Sequence, residues 1–240
     1  MSEVEHTRVI DGVEVEVWFQ RYHDDDATAG PEGELLTRPI DPSLGPVEFF
    51  SHLDVDHQID VLEWHIDVKE QLHDVLGVHV SINIHNSVVE SERDRERFLA
   101  RIEDRPTPAT FEFTEVYPMP PAAASNELLH EVRARGHRSA VDDFGSGLNG
   151  LALLTDFDFD VIKLDRSLSF DLTERPDKLE TLGMLARMIE AMGKGHVVEG
   201  VEDEQVIELL RSVGFHTFQG FFFDRPRPVR EIVAEAASGR

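Results

Sequence analysis

Residues 140–154 read AVDDFGSGLNGLALL and place two adjacent aspartates, Asp142 and Asp143, at the end of an apolar stretch and before a Gly-Ser-Gly turn. Adjacent carboxylates repel each other, and removing either one from water costs several kcal/mol unless it is paired or bound to a metal. The stretch therefore has two interpretations, a turn with a solvated acidic pair or half of a cation site. The rest of the chain has to decide between them.

Short apolar runs like this one alternate with helical patterns along the 240 residues. Strands are predicted at 13–20, 33–38, 78–84, 110–115, 138–144, 159–165, 195–200 and 215–223. Amphipathic helices are predicted at 125–136, which opens with Ser125 as its cap and closes on Gly136, and at 178–193 and 203–214. Roughly eight strand–helix units predict an α/β fold, a (β/α)8 barrel that forms one domain over residues 1–240.

The composition excludes several classes of function. The formal net charge is −25, from 23 basic and 48 acidic residues, which argues against DNA or RNA polymers as partners. Cysteine is absent, so a disulfide framework, a thiol nucleophile and a thiolate metal site are excluded. The acidic start lacks an apolar run, and no stretch approaches the ~18 apolar residues of a membrane span, so we expect a cytoplasmic protein.

Polar side chains, most of them oxygen donors, close nearly every predicted strand. They are Gln20, Glu34, Asn83, Glu112 with Glu115, Asp142 with Asp143, Lys163 with Asp165, Glu199 with Glu202, and Gln219. One such residue is typical of a helix cap or a turn. Together at one barrel mouth they would leave unpaired negative charge, which divalent cations relieve. Oxygen donors without cysteine indicate Mg²⁺, Mn²⁺ or Ca²⁺.

The adjacent aspartates suit two cations rather than one, because Asp142 and Asp143 can supply a bridge and a further ligand. Cation pairs about 3.5–4 Å apart serve the hydrolysis of phosphate esters. Lys163 is the one cation among the strand-end donors. It is either a counter-ion or a catalyst that orients water and stabilises charge on phosphoryl oxygens, and both interpretations stay open here.

Seven ordered motifs carry a family resemblance over about residues 13–235. They read ELLTR at 34–38, INIH at 82–85, EFTE at 112–115, DDFG at 142–145, KLD at 163–165, EGVE at 199–202 and QGFFFDRP at 219–226. With this set the chain resembles the EAL-domain cyclic di-GMP phosphodiesterases. One departure is at the first strand, where residues 20–22 read QRY and the family usually has Gln-Pro-Ile.

The resemblance implies a modified TIM barrel, usually a homodimer, that linearises cyclic di-GMP to pGpG with two Mg²⁺ or Mn²⁺ ions. It implies that Glu34, Asn83, Glu112 and Asp142 hold the first ion and that Asp142, Asp143 and Glu199 hold the second. It further implies that Lys163, with Glu199, positions the nucleophilic water and that Gln20, Arg38 and Asp165 bind the guanine and phosphate groups. It implies that Glu115 braces the loop after the aspartates and that Glu202 and Gln219 support the site.

Two other functions compete with hydrolysis of cyclic di-GMP. A catalytically silent receptor would bind the same molecule without cleaving it, and loss of a metal ligand or of the lysine would indicate it. Every implied ligand and Lys163 are present, which favours the active enzyme. A sugar-processing (β/α)8 metalloenzyme shares the fold but does not explain the ordered motifs.

Overall fold

The first described element is a β-hairpin that the sequence analysis did not predict. Strands β1 (Thr7–Ile10) and β2 (Val13–Arg21) pair antiparallel around Asp11 and Gly12, whose φ angles are 46° and 76°. An Asp-Gly dipeptide between alternating residues is a known signal for this turn, so the sequence did contain the information.

The computed structural model describes residues 5–26, 32–105, 107–114, 120–147 and 150–238.

Strands and helices alternate after this hairpin, as the sequence predicts. The further strands are β3 (His23–Asp24), β4 (Glu32–Pro39), β5 (His79–Ile84), β6 (Ala109–Thr114), β7 (Arg138–Phe144), β8 (Val161–Leu164), β9 (Gly195–Val198), β10 (Thr217–Phe218) and β11 (Arg227–Pro228). The helices are α1 (Pro46–His52), α2 (Val55–Leu76), α3 (Ser87–Glu90), α4 (Glu92–Glu103), α5 (Ala122–Ala134), α6 (Gly150–Asp156), α7 (Arg166–Ser169), α8 (Pro176–Ala191), α9 (Glu204–Ser212) and α10 (Val229–Ser238).

One long strand closes the sheet into a barrel. Strands β4 to β10 lie side by side in parallel, in chain order. Strand β2 pairs antiparallel with β4, and β3, which continues β2 after Tyr22, pairs antiparallel with β10. The segment formed by β2 and β3 therefore contacts both β4, the first parallel strand, and β10, the last one. This arrangement confirms the predicted modified TIM barrel and shows that its first strand runs against the other seven.

Two predicted elements differ most from the structure in their boundaries. The last strand is predicted to reach residue 223 but ends at Phe218, because the chain beyond it turns to pair its backbone with Val201. Helix α5 begins at Ala122 rather than at a Ser125 cap, and the Ser125 hydroxyl is buried inside the helix, where it donates to the Pro120 carbonyl at 3.2 Å. Pro121 is the N-cap of this helix, so the helix starts sooner than the serine pattern indicates.

The core lies between the barrel and its helices, whereas the inward face of the barrel is partly polar. Phe98 on α4 packs edge-on against Phe111 on β6, with ring centroids 4.8 Å apart, and both are fully buried. Neighbouring Glu112 is equally buried but belongs to the opposite face of the strand, since successive side chains alternate. In the described part of the chain, no helix is long and apolar enough to cross a membrane.

Candidate functional site

Lys163 lies at the centre of the barrel and gathers the acidic residues around it. It is the third of four residues in β8, and only 1% of its side chain is exposed. Its Nζ lies 2.7 Å from Glu112, 2.7 Å from Glu199, 2.9 Å from Asp142 and 3.5 Å from Glu34. Burial alone would lower the pKa of Lys163, but these carboxylates outweigh it and hold the pKa well above its usual value. The lysine is therefore an ammonium ion in the folded protein.

A bulge in β7 brings both adjacent aspartates to the same site. Neighbouring residues of a regular strand point to opposite faces, which would separate Asp142 from Asp143. Here the pairing with β8 shifts between Val141 and Phe144, and Asp143 adopts a left-handed backbone with φ of 57°. As a result, one carboxylate oxygen each from Asp142, Asp143 and Glu199 lie within 4.8 Å of one another. Such a group can hold a metal ion.

The carboxylates of this site carry more negative charge than one ammonium ion balances. Burial raises the pKa of Glu112 to about 8, although Lys163 opposes the shift. Burial and then Asp142 raise the pKa of Glu199 well above its usual range, and the same two causes raise the pKa of Asp143 to about 6. Cations binding here would relieve this repulsion.

Glu34 has a different surrounding from the other carboxylates. Its two oxygens accept hydrogen bonds from the Asn83 amide at 2.7 Å and from the Gln219 amide at 2.9 Å. Gln219 also donates to Gln20 at 3.2 Å, which links the first barrel strand to the segment after the last. Burial would raise the pKa of Glu34, but Lys163 and these amides outweigh it and lower the pKa. The Glu34 carboxylate is therefore favoured in its deprotonated form.

The donor set fits divalent cations. The Oδ1 atom of Asp142 is buried and, although it lies 2.9 Å from Lys163 Nζ, no described residue donates a hydrogen bond to it. The Lys163 ammonium compensates the burial of this oxygen, and because the oxygen accepts no hydrogen bond its lone pairs stay free for a cation. The predicted ligands also offer only oxygen atoms, the donors that Mg²⁺, Mn²⁺ and Ca²⁺ accept.

The predicted position of two ligands at strand ends is wrong. Glu34 is the third of eight residues in β4, and Glu112 is the fourth of six in β6. Both side chains occupy inward positions below the mouth of the barrel, where pairing with Lys163 compensates for their burial. Glu199 and Gln219, in contrast, directly follow the last residues of β9 and β10, because both strands end before the predicted residues 200 and 223.

Arg38 lies beside an open cavity next to this site. The cavity measures about 380 Å³, and Arg38, Asn83 and Phe50 are among the residues that line it. The guanidinium donates to the Thr37 carbonyl at 3.1 Å, and within the described ranges no carboxylate comes within 4.0 Å of it. Burial lowers the pKa of Arg38, while Glu34 partly offsets this effect. A cation without an acidic partner beside a cavity can bind an anionic ligand.

The other predicted site residues have simpler surroundings. The Asp165 carboxylate caps helix α7 by accepting the Ser167 N–H at 3.0 Å. Glu202 is exposed on the segment after β9. Glu115 lies outside the described residues.

Two motif glycines are required by close approach of the chain to itself. Gly200 has φ of 64°, and a Cβ there would lie 2.5 Å from Cβ of Arg166. At Gly220 a Cβ would lie 2.0 Å from the Val201 carbonyl oxygen. A side chain at either position would force a shift of the chain next to Glu199 or Gln219, because real Cβ contacts are essentially never that short.

Sequence analysis missed one residue of the site. The Tyr22 hydroxyl donates to Oε1 of Glu112 at 2.9 Å, although the two residues are 90 positions apart. The available signal was weak: Tyr22 follows Gln20 by two positions and so shares its face of the strand.

Comparison with known proteins identifies the family. The model of the EAL domain family matches residues 5–226. The chain belongs to the EAL domain family. The motifs that carry the resemblance, from ELLTR to QGFFFDRP, all fall within the matched residues.

Curated relatives of this EAL domain include two phosphodiesterases. Cyclic di-GMP phosphodiesterase RocR of Pseudomonas aeruginosa is 30% identical over 240 residues, which cover 94% of this chain and 61% of RocR. Cyclic di-GMP phosphodiesterase PdeH of Escherichia coli is 26% identical over 203 residues, with 82% of this chain and 77% of PdeH covered. An uncharacterized protein of Azorhizobium caulinodans is 28% identical, and the match covers only 28% of its length. The chain thus spans only part of these longer relatives.

Solved structures share the fold of this EAL domain. The EAL domain protein from Listeria monocytogenes EGD-e matches with a TM-score of 0.79 at 24% identity, over 92% of both chains. Klebsiella pneumoniae BlrP1, solved as a manganese/cy-diGMP complex at pH 9.0, matches with a TM-score of 0.75 at 27% identity. That match covers 92% of this chain and 58% of BlrP1.

Proposed function

We propose that this EAL domain is a metal-dependent phosphodiesterase that hydrolyses cyclic di-GMP to linear pGpG. One observation carries the proposal: Lys163 lies within 3.5 Å of four carboxylates, three of which it contacts at 2.7 to 2.9 Å. RocR and PdeH are both named cyclic di-GMP phosphodiesterases, and the BlrP1 structure is a manganese/cy-diGMP complex. These relatives support this chemistry over others.

The proposal gives the site two Mg²⁺ or Mn²⁺ ions. Glu34, Asn83, Glu112 and Asp142 would hold one ion, and Asp142, Asp143 and Glu199 would hold the other. When bound, such a pair activates water and neutralises charge on the phosphoryl oxygens. The amide nitrogen of Asn83 already donates to Glu34, which leaves its carbonyl oxygen for a cation.

The chain's own residues have three further tasks in this proposal. Lys163, next to Glu199, orients the attacking water and stabilises charge that develops on the phosphate. Arg38 binds a phosphate group of cyclic di-GMP at the cavity, and Gln20 with Asp165 contacts its guanine or phosphate groups. Gln219 holds Glu34 in place, and Glu115 and Glu202 support the site from neighbouring loops.

The remaining parts of the proposal concern the assembly and its location. We propose a homodimer, as the family resemblance implies, and a location in the cytoplasm. Light scattering of the purified protein with and without Mn²⁺ tests the dimer.

The deciding experiment is an activity assay on chelator-treated protein. With Mn²⁺ added, the protein should convert cyclic di-GMP to pGpG, and chelator alone should give no product. Lys163→Ala should lower kcat roughly 100-fold, worth about 3 kcal/mol, with little change in cyclic di-GMP affinity measured in Ca²⁺. Lys194→Ala is the matched control, because Lys194 donates only to the carbonyls of Phe157 and Phe159 among the described residues.

The same assay separates hydrolysis from binding alone. Wild-type protein that binds cyclic di-GMP in Mn²⁺ without forming pGpG would be a receptor, and the proposed activity would be wrong. Lys163→Ala protein with wild-type kcat and weakened binding would make the lysine a substrate contact instead.

A further inference from the structure

We propose that Tyr22 is a positioning residue that fixes the Glu112 carboxylate for cation binding. This inference rests on the proposed function of the site. It concerns a residue of this chain that differs from the usual EAL sequence, since residues 20–22 read QRY in place of Gln-Pro-Ile. Isoleucine cannot donate a hydrogen bond, whereas the tyrosine hydroxyl can.

Tyr22 occupies the point where the barrel closes. It lies between β2, which pairs with β4, and β3, which pairs with β10. Its backbone N–H donates to the Glu32 carbonyl at 2.9 Å, so the residue is tied to β4. Because Tyr22 shares the face of Gln20, its side chain extends into the barrel below Gln20.

The aromatic ring forms part of the barrel floor below Lys163. It packs against Ala140, Val161 and Val197, which come from three consecutive strands. The small Ala140 leaves room for the ring, and Val161 lies two residues before Lys163 on the same face of β8. Packing on these rigid strands fixes where the hydroxyl group lies.

The hydroxyl group holds the oxygen of Glu112 that Lys163 does not. Tyr22 donates to Oε1 at 2.9 Å, and Lys163 donates to Oε2 at 2.7 Å. In the described parts of the chain, Tyr22 is the one hydrogen-bond donor to Oε1. The terminal torsion of a glutamate is broad, so a carboxylate held at one oxygen can turn. Two donors on different elements fix its plane.

A fixed carboxylate binds a cation better than a rotating one. Each oxygen of Glu112 keeps a second lone pair after accepting one hydrogen bond. Residues that orient metal ligands typically contribute 10- to 100-fold to metal affinity or activity. Tyr22 therefore acts through Glu112.

The test compares Tyr22→Phe with wild type, because this change removes one hydroxyl group and keeps the ring. Mn²⁺ binding to chelator-stripped protein is measured by calorimetry or electron paramagnetic resonance. The Mn²⁺ dissociation constant should rise about 10-fold. With limiting Mn²⁺, kcat for cyclic di-GMP should fall by a similar factor while KM stays within about twofold. Saturating Mn²⁺ should restore most of the kcat.

The matched control is Thr107→Val. The Thr107 hydroxyl also donates to a carboxylate, that of Glu70, but it lies before β6 begins and away from the site. This variant should keep the wild-type Mn²⁺ affinity. Urea unfolding of both variants without metal measures any loss of stability, and equal losses would show that a structural effect alone does not change the affinity.

Three results would overturn the inference. They are an unchanged Mn²⁺ affinity in Tyr22→Phe, an equal loss of affinity in Thr107→Val, and a kcat loss that saturating Mn²⁺ does not restore. If wild-type protein binds Mn²⁺ but forms no pGpG, the proposed function is wrong, yet the comparison of Mn²⁺ affinities still decides the role of Tyr22.

Discussion

Asp142 and Asp143 are neighbours in β7, yet both place a carboxylate oxygen within 4.8 Å of an oxygen of Glu199. The bulge in β7 and the left-handed backbone of Asp143 make this possible. Aspartate is among the few residues besides glycine that adopt this conformation readily, so the motif needs Asp143 for its backbone as well as for its charge.

Substitution of Asp143 should separate these two contributions. Asp143→Asn keeps the left-handed preference and should weaken Mn²⁺ binding about 10-fold or more without loss of stability. Without metal, this variant should be at least as stable as wild type, because burial and Asp142 disfavour the Asp143 anion. Asp143→Ala, which has no ligand atom, should bind Mn²⁺ at least as weakly as the asparagine variant and lose about 1 kcal/mol of stability in addition. Urea unfolding in chelator and Mn²⁺ titration measure both effects. Wild-type Mn²⁺ affinity in the alanine variant would exclude Asp143 as a ligand.

Glu112 should make the stability of the metal-free protein depend on pH. Its pKa of about 8 lies above the value in the unfolded chain, so the folded state holds the proton more tightly. The contribution of Glu112 to the free energy of unfolding is therefore lost as pH rises between about 5 and 8. Between pH 6 and pH 8 in chelator, wild type should lose on the order of 1 kcal/mol more than Glu112→Gln. Saturating Mn²⁺ should reverse the difference, since a bound cation favours the anion. An equal loss of unfolding free energy in wild type and Glu112→Gln between the two pH values would contradict this role.

His137 should weaken the fold on the acidic side. Its Nδ1 accepts the Ala109 N–H at 3.2 Å, and burial, followed by Lys69, lowers its pKa to about 4. Because the unfolded chain binds this proton more readily, stability is lost as pH falls from about 6.5 to 4. Between pH 7 and pH 5, wild type should lose on the order of 1 kcal/mol more than His137→Asn, whose amide can accept the same N–H.

The control for this measurement is His130→Asn, because His130 is exposed beside Asp158 on the surface. The two variants differ only in whether the buried or the exposed ring is removed, so a change in slope confined to His137→Asn would assign that change to the buried ring. An equal change in slope for both variants would show that histidine burial is not the cause.

Two glycines with nearly equal backbone angles should respond differently to alanine. Gly77 has φ of 66° with nothing within 4 Å of an added Cβ, whereas Gly200 has φ of 64° with Arg166 Cβ at 2.5 Å. Gly77→Ala should lose about 1 kcal/mol from backbone strain and keep its Mn²⁺ affinity. Gly200→Ala should lose more, and its Mn²⁺ affinity should fall because the clash displaces Glu199. Equal unfolding free energies and Mn²⁺ affinities for the two variants would refute the role of close approach.

The local patterns of the sequence determined the order of strands and helices and the chemistry of the site. Alternation and turn residues predict the eight barrel segments, because side-chain period and turn conformation are properties of neighbouring residues. The oxygen donors and the lysine were also identified from their positions after apolar runs. Helix α5 shows the limit, since its N-cap is Pro121 and the predicted cap, Ser125, lies inside the helix.

Only the tertiary structure decided how these residues meet. Gln20 and Gln219 are 199 positions apart and touch because the first strand closes the barrel antiparallel. The bulge that unites Asp142 and Asp143, and the contact between Tyr22 and Glu112, depend on strand register and packing between distant segments. Local sequence patterns do not encode register across the barrel, because it is fixed by all the strands together.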